Sequence, residues 1–114
     1  MTRTPTETWA AYLEVWNGFR PLTELDALLA DEYAGQVGSL LQDKAALRSR
    51  IDVYRTAHPT ARFEVLDQFA AGDRLVTRLQ VTGLSGQEHP LLGINVGLHR
   101  ESRLAQEWAV WETH

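Results

Sequence analysis

The sequence predicts an α+β fold, with helices in the first half and strands in the second. Three observations carry this. Apolar residues recur at helical spacing through about residue 57. From residue 61 the period changes to two. Turn residues then divide the rest into four strand-like runs, arranged as two hairpins. Helices and strands segregated in this way give α+β, whereas alternation would give a parallel βαβ sheet.

The composition bounds the class. A chain of 114 residues is expected to form one domain, spanning 1–114, with a core that needs no staples. At 44% hydrophobic and 23% charged, it is ordinary soluble globular material. A formal charge of −4 argues against nucleic acid or an anionic membrane as partner. Without cysteine there are no disulfides, thiol nucleophiles or cysteine metal sites. No apolar run is long enough to span a bilayer, and MTRTPTETW lacks a signal peptide's apolar core. The cytoplasm is the expected location.

Residues 1–5 read as a loose lead-in. Thr6 then caps a first helix, whose stripe is Trp9, Tyr12, Leu13 and Trp16, and Asn17-Gly18 ends it. An aromatic stripe is more often core than pocket, and both readings stay open for Tyr12 and Trp16. Pro21 starts a second helix carrying Leu22, Leu25, Leu28 and Leu29, which ends near Asp31. Residues 31–38 are short, mixed and punctuated by glycine, and predict a brief extended segment. Gln36 in it points either into a pocket or to solvent. Asp43 caps a third helix over 43–57, with Leu47, Ile51 and Tyr54 inward and Arg48, Arg50, Asp52 and Arg55 solvated. His58-Pro59 stops it.

Strands follow over 61–69 and 74–82, joined by the turn Ala70-Ala71-Gly72-Asp73. A loop over 83–90 leads to a second hairpin, 91–99 and 103–112, through Arg100-Glu101-Ser102-Arg103. Both faces of this hairpin carry large apolar groups, so one of them should be covered by a second copy.

The stretches AHPTARFEVLDQFAAGDRLVTRLQVTG (57–83), RLAQEWAVWE (103–112) and LLADEYAGQVG (28–38) together resemble the SnoaL-like polyketide cyclases, within the nuclear-transport-factor-2-like superfamily. The resemblance implies a cone-shaped α+β barrel: three N-terminal helices packed in a curved antiparallel sheet, with a pocket inside and a dimer through the outer face. It implies a general acid/base carboxylate late in the last strand, which matches Glu112 here. Such a carboxylate, desolvated beside Trp108, trades protons with an activated carbon or a carbonyl. Asn95 and Gln36 are expected to polarise the carbonyl. Tyr12, Trp16, Tyr33, Trp108 and His99 are expected to contact the ligand. The chain departs from the family pattern in having glutamate for aspartate at 112 and in lacking a Gly-Thr-His-x-Gly loop after residue 82.

The face assignment assumes that 99 lies opposite 104 and 95 opposite 108. Asn95 and Trp108 then face inward, with Glu112 either in the pocket or a surface carboxylate near the end of the strand, while Val96, Leu98 and Trp111 face outward and make the homodimer. The four histidines, His58, His89, His99 and His114, lack ligand spacing, so no metal is expected. There is no phosphate-binding or dinucleotide loop, and no cofactor is expected. Two functions fit. One is a cofactor-free cyclase, isomerase or hydrolase acting on a small hydrophobic, carbonyl-containing or polyketide-like molecule. The other is a non-catalytic binding or dimeric assembly module of the same fold.

Overall fold

In a computed structural model, residues 3–112 are described. Helix α1 spans Pro5–Trp16. A 3₁₀ turn over Leu22–Glu24 leads into the short helix α2, Leu25–Leu28. Strands β1 (Leu29–Val37) and β2 (Leu40–Gln42) precede α3, Lys44–Ala57. Strands β3 (Arg62–Ala71), β4 (Arg74–Thr82), β5 (Leu91–Arg100) and β6 (Arg103–Trp111) complete the chain. The six strands form one curved, unclosed sheet in the order β2-β1-β6-β5-β4-β3. Its pairs are antiparallel except β1 with β6, which run parallel, so the sheet is mixed.

Local chemistry explains most of these elements. The cap of α1 is Thr4, two residues before the expected Thr6. Thr4 accepts from the Glu7 amide at 3.1 Å, and Glu7 accepts from the Thr4 amide at 3.0 Å. Thr-Pro-Thr-Glu is a capping box with proline in the first turn, where its missing N–H is harmless. Met1 and Thr2 of the expected lead-in lie outside the described residues. At the far end, the Asn17 amide pairs with both backbone groups of Phe63, at 2.6 and 3.0 Å. This pins the helix terminus to the start of β3. Asp43 caps α3 as expected, accepting from Ala46.

Helix α2 is shorter than its leucines suggest. Leu29 and Ala30 are buried in β1, and Leu29 lies beside Leu104. Sheet pairing overrides a weak local preference for helix. Strand β2, at three residues, is too short to leave a period in the sequence.

The decisive departure lies in β6. The pair 99/104 is as expected, but beyond it the register shifts, and Asn95 lies opposite Ala109 rather than Trp108. Ala105 is the extra residue, a bulge buried in the β5–β6 ladder. A slip of one residue exchanges the two faces of a strand. Glu107, Ala109 and Trp111 therefore face the helices, while Trp108 and Val110 face away, 38% and 67% exposed. Trp111 is thus removed from the expected dimer face. Its ring covers Gly93, where a Cβ would lie 2.5 Å from the indole. Leu98 is buried within the chain, and Val96 is half-buried.

Helix α1 lies in the concave face, with Trp9, Tyr12 and Val15 buried alongside Leu47 and Ile51 of α3. Its Thr8 hydroxyl donates to the Ser102 carbonyl at 2.5 Å, fastening the helix to the β5–β6 turn.

His99 is in this interior, 3% exposed, and among the described residues neither ring nitrogen makes a well-aligned hydrogen bond. Burial pushes its imidazole below the ordinary range, partly offset by the Gly97 backbone and the charge of Asp73. The unfolded chain therefore binds this proton more readily than the folded one. The stability that follows is complete above the unfolded value, about 6.5, and is lost as pH falls below it, at up to about 1.4 kcal/mol per pH unit. The urea midpoint is expected to be lower at pH 5.5 than at pH 7.5, and His99→Leu to remove most of that difference. An unchanged pH dependence in the variant would refute the assignment.

Candidate active site

The inward face of β6 places Glu107 in the middle of the sheet, 4% exposed, with β1 on one side and β5 on the other. A buried carboxylate needs donors, and three side chains supply them. Oε2 accepts from the Tyr12 hydroxyl at 2.6 Å and the Tyr33 hydroxyl at 2.5 Å. Oε1 accepts from the Asn95 amide at 2.8 Å. Behind Tyr33, the Gln42 amide donates to its hydroxyl at 2.9 Å, and Arg50 donates to the Gln42 carbonyl. The donors thus run from the guanidinium through Gln42 and Tyr33 to the carboxylate.

Glycine makes room for this cluster. The two residues beside Glu107 on the neighbouring strands are Gly35 and Gly97. Two positions before each, on the same face, stand Tyr33 and Asn95. A Cβ on Gly35 would lie 2.4 Å from the Tyr33 hydroxyl oxygen and 2.8 Å from the Gln42 amide nitrogen. A side chain at Gly35 would displace both the hydroxyl that reaches the acid and the amide behind it.

Burial, followed by the neighbouring Glu107 charge, raises the Tyr12 and Tyr33 hydroxyls well above the ordinary phenol range. They remain protonated donors throughout the physiological range.

The cluster forms the polar end of a cavity of about 230 Å³ between α1, α3 and the sheet. Its walls are largely apolar: Trp9, Leu13, Leu79, Val81 and a group of rings. Trp16 meets Tyr54 and Phe63 edge-on, with centroids 5.4 Å apart in each case, and Phe63 meets Trp111 at 5.6 Å. Rings locked in this way keep their rotamers and hold a cavity open. Among the described residues, no group of three or more histidines, aspartates or glutamates could hold a metal ion, and no helix is long and apolar enough to cross a membrane.

Of the residues singled out in the sequence, Tyr12, Tyr33 and Asn95 meet at Glu107, and Trp16 lines the cavity. Glu112 is elsewhere. It is exposed past the end of β6, where its backbone N–H donates to the Leu92 carbonyl and its carboxylate accepts from the Leu92 amide, both at 2.9 Å. The bulge placed it with the outward set. Trp108 is on the outer face for the same reason. Gln36 sits beside Trp108, and its amide donates to the Gly38 carbonyl at 3.0 Å. Tyr33, Gly35 and Val37 take the inward positions of β1, so Gln36 cannot. His99 is inward but outside the cavity lining. His114 lies outside the described residues.

Glu107, Gln42 and Arg50 were missed. The signal for Glu107 was indirect: two motifs, Tyr33-x-Gly35 and Asn95-x-Gly97, each pair a donor with a gap two residues on. Gaps of this kind mark a place where another group approaches closely.

No family model and no curated protein sequence matches the chain. Its likeness to known proteins is structural. IdmH from Streptomyces antibioticus, a candidate polyketide cyclase, superposes with a TM-score of 0.82 at 18% identity, over 96% of this chain and 93% of that one. A SnoaL-like polyketide cyclase from Agrobacterium tumefaciens gives 0.79 at 16%, over 97% and 93%. A candidate isomerase of the SnoaL-like family from the same species gives 0.75 at 15%, over 93% and 95%. The chain has the fold of the SnoaL-like polyketide cyclases and isomerases.

Proposed function

We propose that the protein is a cofactor-free acid/base catalyst of the cyclase or isomerase kind, acting on a hydrophobic carbonyl compound with Glu107 as the proton carrier. One observation carries this reading: an ionisable carboxylate at the end of an apolar cavity, oriented by three donors. The carboxylate takes a proton from the carbon next to the carbonyl, leaving an enolate. The negative charge moves from Glu107 to the substrate oxygen. The Tyr12 hydroxyl and the Asn95 amide, no longer held by a charged acid, then turn to the oxyanion. Returning the proton at a different carbon completes an isomerisation. Attack of the enolate carbon on a second carbonyl closes a ring, with the proton from Glu107 going to the new alkoxide. Glu107 takes over the role first expected of Glu112.

The substitution that tests this should leave the fold intact. In Glu107→Gln, the amide oxygen still accepts from the tyrosines. Its nitrogen donates to Asn95 Oδ1, which is otherwise without a partner, once that side chain flips. Deuterium exchange beside the carbonyl of a bicyclic ketone, 2-tetralone, is expected to exceed the buffer rate with the native protein. With Glu107→Gln, the protein-dependent rate is expected to fall about a hundredfold or more. Equal exchange by the two proteins, with matching circular dichroism, would sink the proposal.

We also propose a homodimer through the outer sheet face, on residues other than Trp111 and Leu98. Ile94, Trp108 and Val110 are 52%, 38% and 67% exposed on adjacent strands. Apolar groups clustered in this way favour burial against a second copy. Light scattering is expected to give twice the chain mass for the native protein and the single mass for Val110→Glu. A native monomer would overturn this.

A further inference from the structure

The cavity has a cationic end that the acid/base reading does not use. Among the described residues, Arg50 and Glu107 are the only Arg, Lys, Asp or Glu residues that line it. Glu107 is enclosed by its donors. Arg50 stands at the rim, because Trp16, Arg50 and Tyr54 line both the cavity and a shallow groove outside it. Arg50 and Tyr54 are four residues apart on α3 and share one face of the helix.

Both side chains have unused donors. Among the described residues, no carboxylate pairs with Arg50. Its guanidinium donates to the Gln42 carbonyl, which leaves most of its five N–H groups available. The Tyr54 hydroxyl is buried and, among the described residues, has no partner. Its ring is held between Trp16, Phe63 and His58, with centroids 5.2–5.4 Å away, so the hydroxyl has a fixed position. Burial raises this phenol to about 12, which keeps it a donor at neutral pH. A half-buried guanidinium with unused N–H groups, one helical turn from a phenol that has no partner among the described residues, suits a planar anion.

We propose that Arg50, with Tyr54, selects substrates bearing a carboxylate, so that the ligand is a hydrophobic keto acid lying with its acid at the rim and its reacting carbon at Glu107. The carboxylate bridges the guanidinium and the Tyr54 hydroxyl. The apolar body fills the chamber between Trp16 and Trp111. Arg50 is a specificity residue and takes no part in proton transfer. This inference deepens the acid/base reading and rests on the same cavity.

The test compares 2-naphthoate with the neutral, nearly isosteric 2-naphthamide by isothermal titration calorimetry at pH 7.5. The native protein is expected to bind the acid at least tenfold more tightly than the amide. Arg50→Gln should bring the two within about twofold. Tyr54→Phe keeps the ring stack and should weaken the acid several-fold while leaving the amide unchanged. Glu107→Gln should keep the preference. Equal affinities in the native protein, no binding of the acid, or a preference that survives Arg50→Gln would each overturn the proposal. Equal affinities in the native protein, alongside an intact exchange defect in Glu107→Gln, would refute the role of Arg50 and leave the acid/base reading standing.

Discussion

A carboxylate withdrawn from water must be matched by donors, and the inward face of this sheet is arranged around that demand. Desolvating Glu107 without partners would cost several kcal/mol. Tyr12 arrives from α1, Tyr33 from β1 and Asn95 from β5. The three elements are remote in sequence, so the carboxylate ties the N-terminal helix to both strands beside it. The same bonds fix the orientation of its two oxygens.

That arrangement depends on backbone geometry. The bulge at Ala105 sets which residues of β6 look inward. Without the extra residue, the inward set would be Trp108, Val110 and Glu112, and the acid would sit at the strand's end in water. With it, Glu107 reaches the middle of the sheet, and Trp111 turns in to meet Phe63. Gly35 then leaves the space across which Tyr33 reaches the acid. One bulge and one missing side chain bring the acid and its donors together.

The cavity is electrically polarised. Its inner end has a carboxylate flanked by phenols that burial and charge keep protonated. Arg50, half-buried, also lines it and borders the outer groove, and the remaining walls are mostly apolar and aromatic. Polar groups this few in an apolar cavity fix the orientation of a ligand. The link from Arg50 through Gln42 and Tyr33 to Glu107 joins the ends by hydrogen bonds alone.

The sequence by itself determined the class of fold, the caps and stops of α3, the end of α1 and the two late hairpins. These rest on local physics: side-chain periodicity, turn residues and capping oxygens. It also marked Tyr12, Tyr33, Asn95 and Trp16, because aromatic stripes and a polar residue on an apolar strand are visible one element at a time. Only the tertiary structure decided that Glu107, and not Glu112, is the buried acid. Strand alternation defines two faces, but nothing local says which is inward. A single bulge in β6 exchanges them, and it forms because of pairing with β5 rather than from any pattern within β6. The parallel pairing of β1 with β6 was equally hidden, since it joins residues some seventy positions apart. Arg50 reads as a solvated helix residue until the sheet curves round and gives it a cavity to border.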